Sequence, residues 1–265
     1  RERLPRATVL TFWHIPWPNP ESFGICPWRN EILEGLLGST ILGFHTAYHC
    51  KNFIETVDRF LETRIERETS TISYRGKLTM VQDYPISIHW PDALPPAKIS
   101  FPEARENMRK RLGIGDEQRL ALGVDRLDYT KAIMECYEAV ERLLEKYPTW
   151  VGRFVLLQIA APSRSLLQDY RNFEQKVRES ADRINKRFET ADHRPIRLLL
   201  EQHSAASVVE HYRACDVCMV TSLHDGMNLV AKEFIAARED EGGVLILSQF
   251  AGASGVLREA LVVNP

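Results

Sequence analysis

Several kinds of partner are excluded by what this 265-residue chain does not contain. Thirty-four Lys and Arg stand against 36 Asp and Glu, a formal charge of −2. That leaves none of the positive excess that nucleic acid or an anionic membrane surface demands. No apolar run approaches the roughly 18–20 residues of a membrane span. Arg1-Glu2-Arg3 leads only into a short apolar run that includes Trp13 and His14, which is not the form of a secretory leader. Cysteine is sparse, five residues scattered along the chain, an arrangement that suits a reducing cytosol rather than a disulfide framework. Cys215-Asp216-Val217-Cys218 has the C-x-x-C spacing of redox or metal sites, yet Cys218 opens a strand and no second pair completes a zinc set; a structural role is expected. His45, His49, His203 and His224 show no metal-ligand spacing, and neither metal nor cofactor is expected. Internal repeats and low-complexity tracts are missing too.

What is present is ordinary globular composition, 44% hydrophobic and 26% charged, long enough for one large domain or two smaller ones. Strand-like and helix-like segments alternate, which argues for parallel α/β layers. Residues 8–13, 41–44, 120–124, 154–159, 196–200, 217–221 and 244–247 read as strands. Residues 30–37 and 49–60 read as helices, and the longest helix spans about 166–187. Between 71 and 88 the pattern changes to short strands around a Gly76-Lys77 turn. Pro91, Pro95, Pro96 and Pro102 then cluster within a dozen residues. Proline at that density blocks regular structure, so an interdomain linker is placed there, dividing the chain into 1–95 and a doubly wound 96–265.

Two strand-to-helix turns carry the chemistry. Asp225-Gly226-Met227-Asn228-Leu229-Val230-Ala231-Lys232-Glu233 follows the strand at 217–221 and opens a helix over 228–237. A strand, a glycine turn and a helix start offer free backbone N–H groups to an anion. Asp225 stands at the expected N-cap, and Glu233, about one and a half turns on, is placed to accept hydrogen bonds from a neutral diol. Such a loop suits a sugar nucleotide; the plainer alternative is a capped helix with ordinary surface acids. The second turn, Asp125-Arg126-Leu127-Asp128-Tyr129-Thr130-Lys131, follows the strand at 120–124. It precedes an amphipathic pattern of Ile133, Tyr137, Val140, Leu143, Leu144 and Tyr147. Arg126 and Lys131 are its two cations, at the C-terminal edge where open parallel sheets bind ligands. Arginine grips a phosphate in bidentate fashion and lysine adds a mobile point charge. The alternative is that Arg126 pairs with Asp125 or Asp128 and both cations are merely solvated.

With these motifs the chain resembles the trehalose-6-phosphate synthases, retaining glycosyltransferases of the two-domain GT-B architecture. The likeness runs through His14-Ile15-Pro16-Trp17-Pro18, Gly43-Phe44-His45-Thr46, Arg126 to Lys131, Gln158-Ile159-Ala160 with Pro162-Ser163-Arg164, Asp225 to Glu233, and Leu247-Ser248-Gln249-Phe250-Ala251-Gly252. It implies an α/β fold of two Rossmann-like doubly wound domains, the N-terminal one incomplete. Measured against the family, the chain lacks the first part of that domain, with its glycine-rich loop, and the closing C-terminal helices; it reads as a fragment or truncated product. The resemblance further implies a cytoplasmic enzyme transferring glucose from a nucleotide donor, UDP-glucose in most members, to glucose 6-phosphate; a homo-oligomer is compatible with the sequence.

The matching residues then take roles. His14 would touch the donor glucose and stabilise charge near the anomeric carbon; a histidine packed beneath Trp13 and Trp17 is the structural alternative. Arg126 and Lys131 would neutralise the departing diphosphate with the N–H groups near Asn228 and Leu229, and the loop Gly226-Met227-Asn228-Leu229-Val230 would line the donor site. Asp225 would orient glucose hydroxyls and Glu233 the ribose, while Arg164 would hold the acceptor's 6-phosphate or merely pair with Asp169. Asp-x-Asp never occurs, which argues against a divalent metal on the diphosphate and leaves that charge to cations and helix N-termini. No carboxylate pair spaced for double displacement stands out; the family is thought to react on one face of the sugar, the leaving phosphate oxygen taking the acceptor's proton. Two departures stand out. Ala132 occupies the place of a usual glycine, so that turn is expected to be reshaped, and Pro85-Ile86-Ser87-Ile88-His89-Trp90 replaces a segment that ordinarily reads Pro-Ile-Gly-Ile and an acid. The second departure touches the acceptor side, which keeps glycerol 3-phosphate open as acceptor, as in glucosylglycerol-phosphate synthases. A non-catalytic sugar-phosphate sensor is the remaining alternative.

Overall fold

The computed structural model describes residues 6–89, 94, 99–163, 166–190 and 193–265. The chain divides into two compact units, Arg1–Ile86 and Ser87–Pro265. Pro91, Pro95 and Pro96 of the expected linker lie outside the described residues, and so does Arg164.

In the first unit, strands β1 (Leu10–Phe12), β2 (Ile41–Phe44), β3 (Arg64–Glu66), β4 (Thr71–Tyr74) and β5 (Lys77–Asp83) form one sheet ordered β1-β2-β5-β4-β3. β1, β2 and β5 are parallel, while β4 and β3 add antiparallel. The β4–β5 hairpin turns through Arg75 and Gly76, both at positive φ, one residue earlier than the Gly76-Lys77 pair expected from the sequence, since Lys77 already belongs to β5. Helices α1 (Pro20–Phe23), α2 (Arg29–Leu36) and α3 (Ala47–Phe60) accompany the sheet. Thr46 caps α3, its hydroxyl accepting from His49 N–H at 3.4 Å. The core gathers Trp17, Leu33, Phe44, Phe53, Val57 and Ile72. Trp17 is fully buried, and its indole N–H donates to Thr56 Oγ1 at 3.0 Å, the partner that a buried tryptophan needs.

The second unit opens with α4 (Phe101–Leu112), whose start is sealed by a capping box between Ser100 and Glu103. Pro102, counted with the linker on sequence grounds, sits in the first turn of this helix. There its missing N–H costs nothing. The sheet then comprises β6 (Arg119–Arg126), β7 (Phe154–Ala161), β8 (Ile196–Leu199), β9 (Val217–Val220), β10 (Val244–Ser248) and β11 (Leu261–Val263), all parallel, in the order β11-β10-β9-β6-β7-β8. Alternation along the strands feeds two cores. Leu120, Leu122, Val155, Leu157 and Ile159 join Met108 of α4, Tyr212 of α7 (Ala205–Ala214) and Phe234 of α8 (Leu229–Ala237). Ala121, Leu156 and Ala160 join Tyr137 and Val140 of α5 (Ile133–Lys146) and Val177 and Ile184 of α6 (Gln168–Phe188). Near-continuous apolar strands buried on both faces are what a parallel sheet with helices on either side demands.

The chain runs outward in one direction through β6, β7 and β8, then crosses back to β9 and continues the other way. β6 and β9 are therefore neighbours of opposite progression, with Ala121 beside Val217 and Leu122 beside Cys218. Strand order reverses there, the general ligand position of open α/β sheets.

Cys215 and Cys218 are buried free thiols. Burial pushes the Cys215 thiol up to about 12, away from the thiolate form that metal or redox chemistry uses. No helix among the described residues is long and apolar enough to cross a membrane.

Candidate active site

Both motif turns of the second unit meet at the switch point. β6 ends on Asp125 and Arg126, and the chain then makes a short helical turn, Tyr129–Lys131. Asp128 caps that turn, its carboxylate accepting from Thr130 N–H at 3.0 Å, from Thr130 Oγ1 at 2.9 Å and from the Tyr170 hydroxyl at 3.3 Å. These bonds hold the Asp128 carboxyl below the usual range against the opposing effect of burial. The loop after β9 is stitched to this turn through one carbonyl: Thr130 O accepts from Leu223 N–H at 2.9 Å.

Across that seam Lys131 Nζ pairs with the Asp225 carboxylate, both side chains largely buried. The same carboxylate accepts from Asn228 Nδ2 at 3.0 Å and from Ser222 Oγ at 3.3 Å. Arg126 stands exposed at the end of β6 and carries no ion pair among the described residues. So the structure brings Lys131 to Asp225 and leaves Arg126 open at the same edge.

Asp225 is not the helix cap. Asn228 caps α8, with its Oδ1 accepting from Ala231 N–H at 3.2 Å, and it holds φ 68°, a conformation that asparagine tolerates better than most residues. Asp225 is drawn away by backbone pairing with the loop after β10. Asp225 N–H donates to Phe250 O, Gly252 N–H to Asp225 O, and Ala253 N–H to Met227 O at 2.8 Å. Gly226, Met227 and Asn228 are buried under this pairing, and Leu229 and Val230 form the first turn of α8, whose N–H groups have no partner inside the helix.

The fit is close enough that Gly252 admits no side chain: a Cβ there would lie 2.1 Å from Gly226 O. Gly252→Ala should therefore displace the 225–228 loop and cost about 1–3 kcal/mol in unfolding free energy. Gly255→Ala, with open space around its Cβ, should leave thermal unfolding unchanged; parallel melting curves check the pair.

Ala132 departs from what its chemistry predicts. It takes the left-handed conformation, φ 55° and ψ 37°, as the residue before α5, and is fully buried. That conformation costs roughly 1–2 kcal/mol for a non-glycine residue. Ala132→Gly should raise stability by about 0.5–1 kcal/mol once the lost methyl burial is counted, measurable as a higher urea midpoint.

Glu233 lies one and a half turns into α8, where its Oε2 accepts from the buried Tyr212 hydroxyl at 3.1 Å. Burial keeps that phenol neutral, its pKa well above the usual value, so it remains a donor that fixes the Glu233 carboxylate.

In the first unit, His14 is exposed just past the end of β1, and His45 is buried just past β2. Their rings meet edge to face at 5.5 Å, and Phe12 packs against both, at 4.7 and 4.8 Å. Trp13 and Trp17 pack on each other, so His14 is not the buried histidine of the structural alternative.

From the sequence, Gln158, Ser222, Tyr212 and Gly252 have no individual role, and Asp125 only that of an alternative partner for Arg126. Gln158 belongs to a matched segment, but its contact with Gly123 and Asp125 is visible only in three dimensions.

A site of this build, two anion-competent turns at the switch point of a parallel sheet, agrees with the comparisons. The model of glycosyltransferase family 20 matches residues 1–265. The chain belongs to glycosyltransferase family 20. It is 39% identical over 263 residues to the alpha,alpha-trehalose-phosphate synthase (UDP-forming) of Pichia angusta, covering 99% of this chain and 54% of that protein. With the Schizosaccharomyces pombe synthase of the same name, identity is 37% over 258 residues, 96% of this chain and 49% of the relative. Among solved family structures, the Burkholderia xenovorans synthase in complex with glucose-6-phosphate superposes with a TM-score of 0.91 at 33% identity, covering 100% of this chain and 58% of that one. An E. coli trehalose-6-phosphate structure bound with UDP-2-fluoro glucose gives 0.89 at 34%, with the same coverage. The chain thus spans about half the length of the family members it matches.

Proposed function

We propose that this protein is a retaining glucosyltransferase that moves glucose from UDP-glucose to glucose 6-phosphate, giving trehalose 6-phosphate in the cytoplasm. The observation that carries the reading is the Lys131–Asp225 pair at the switch point, with Arg126 open beside it. A cation held by a carboxylate can change partners when a diphosphate arrives. Relatives named for UDP-forming synthesis, and family structures carrying a UDP-glucose analogue and glucose-6-phosphate, support the same chemistry.

In this reading residues 96–265 hold the nucleotide sugar and residues 1–95 belong to the acceptor side. Arg126 and Lys131 take the diphosphate, together with the N–H groups of Leu229 and Val230. Neutralising charge that grows on the leaving group is where preorganised cations act most strongly. Asp225, freed of Lys131, turns to the glucose hydroxyls, with Gly226, Met227 and Asn228 as the floor of the loop. Glu233 accepts from the ribose diol with the carboxylate oxygen that Tyr212 leaves free. His14 serves the anomeric centre, and Arg164, outside the described residues, takes the acceptor's phosphate.

The test supplies UDP-glucose with either glucose 6-phosphate or glycerol 3-phosphate and follows UDP release, with the product's anomeric configuration read by NMR. Faster turnover with glucose 6-phosphate and retention at the anomeric carbon are expected. Preference for glycerol 3-phosphate would reassign the acceptor, and donor binding without turnover on either would favour a sensor.

A further inference from the structure

Helices α7 and α8 pack against each other, and one side-chain hydrogen bond crosses between them. The Tyr212 hydroxyl donates to Glu233 Oε2 at 3.1 Å. Tyr212 is wholly inaccessible to solvent, so its hydroxyl has no water to turn to, and a buried tyrosine needs such a partner. The frame around this bond is closed at both ends. Asn228 caps the start of α8, accepting from Ala231 N–H at 3.2 Å. Arg238, just past the end of α8, donates from Nη1 to the carbonyls of Tyr212 at 3.1 Å, Arg213 at 3.3 Å and Cys215 at 2.7 Å. The last turn of α7 is thereby tied to α8, and the Tyr212 ring meets Phe234 edge to face at 6.2 Å. Tyr212 and Glu233 therefore keep their relative place without a ligand.

Glu233 is half-buried, and its second carboxylate oxygen, Oε1, accepts no hydrogen bond from any described residue. A long acidic side chain ordinarily loses rotamer freedom when a ligand engages it, and that loss weakens binding. A carboxylate already held through one oxygen presents the other in a single direction and escapes most of that loss. We infer that Tyr212 is a positioning residue that aims Glu233 at the ribose diol, and so makes the donor site select nucleotides that carry the diol over those that lack it. The inference rests on the donor-binding reading above. Tyr212 itself touches no part of the ligand and acts through Glu233 alone. The diphosphate is taken by Arg126 and Lys131, so the effect of Tyr212 is confined to ligands with ribose hydroxyls.

The experiment is calorimetric titration with UDP and with 2′,3′-dideoxy-UDP, which keeps the base and the diphosphate but lacks both hydroxyls. The wild type should bind UDP about 10- to 100-fold more tightly, the ratio expected when hydrogen bonds to a carboxylate are removed. Tyr212→Phe keeps the ring and its packing; it should weaken UDP roughly three- to tenfold and leave dideoxy-UDP unchanged. Glu233→Ala should erase the selectivity, and adding Tyr212→Phe to it should change nothing more. A merely structural role for Tyr212 would weaken both nucleotides alike. Equal losses for the two in Tyr212→Phe, full selectivity in that variant, or a wild type that binds both equally overturns the inference while the diphosphate site stands. Should Tyr212→Phe not fold, Glu233→Asp decides, since a carboxylate one methylene shorter draws back from the Tyr212 hydroxyl. Selectivity lost there supports the inference, and selectivity kept overturns it. No binding of either nucleotide by the wild type overturns the donor reading and the inference with it.

Discussion

Replacing Arg126 and Lys131 together by alanine lowers affinity for UDP-glucose at least a hundredfold in calorimetric titration. Each charge-assisted contact to phosphate contributes about 1.5–3 kcal/mol, and two of them correspond to roughly 10² to 10⁴ in the dissociation constant. The loss exceeds that of two contacts, because Lys131 also answers Asp225 and Asp125. Without it the diphosphate meets two carboxylates and no cation. Arg126→Ala alone should weaken binding about tenfold and leave stability untouched, since that side chain is exposed and has no ion pair among the described residues. Lys131→Ala alone should also shift the pH dependence of unfolding, because Asp125 loses the charge that favours its ionised form. An intact affinity in the double variant would place the nucleotide elsewhere on the molecule.

The second large effect is on folding. Asp216, just before β9, accepts from Leu120 N–H at 2.8 Å and draws Arg105 to 2.9 Å, Arg119 to 3.5 Å and the buried Arg109 to 3.6 Å. It ties α4 to the N-terminal edge of the sheet at the strand pair that frames the switch point. Arg119 is exposed and Arg105 half-buried, and pairs this open to solvent contribute little. Arg109 is different. Only 5% of it is accessible, and burial already works against its charge. Asp216→Ala leaves that guanidinium without its carboxylate and Leu120 N–H without an acceptor, an expected loss of about 3–5 kcal/mol. Urea unfolding should show a lower midpoint at unchanged slope. Asp216→Asn, which still accepts from Leu120, should lose about half as much.

Much of this was legible in the sequence because the signals are local and periodic. The apolar runs of β6, β7 and β9 and the three-and-four spacing of α5 need no partner to be recognised. The cations of the β6 turn and the acidic loop after β9 could be placed at the same sheet edge for that reason. The failures share one cause. Asp225 has the chemistry of a helix cap, and only its pairing with Ala251, through Phe250 and Gly252 backbone, draws it out and passes the cap to Asn228. Pro102 read as linker because its Ser100–Glu103 capping box was overshadowed by the prolines before it. Ala132 takes a conformation that its propensity disfavours because the buried turn around it leaves no other. Asp125 and Tyr212 were invisible as functional neighbours, since sequence does not reveal that β6 and β9 are adjacent or that α7 faces Glu233. Local rules describe elements, and the site is made where elements distant in sequence meet.

The central claim is that Lys131 exchanges Asp225 for the donor diphosphate at this switch point. A crystal structure of the protein with UDP-glucose tests it most directly. The account predicts the diphosphate on Lys131 and Arg126, the ribose diol on Glu233, the glucose hydroxyls on Asp225, and the Lys131–Asp225 pair opened. A nucleotide bound away from the β6–β9 switch point, or a Lys131–Asp225 pair that stays closed beneath a bound donor, would contradict it.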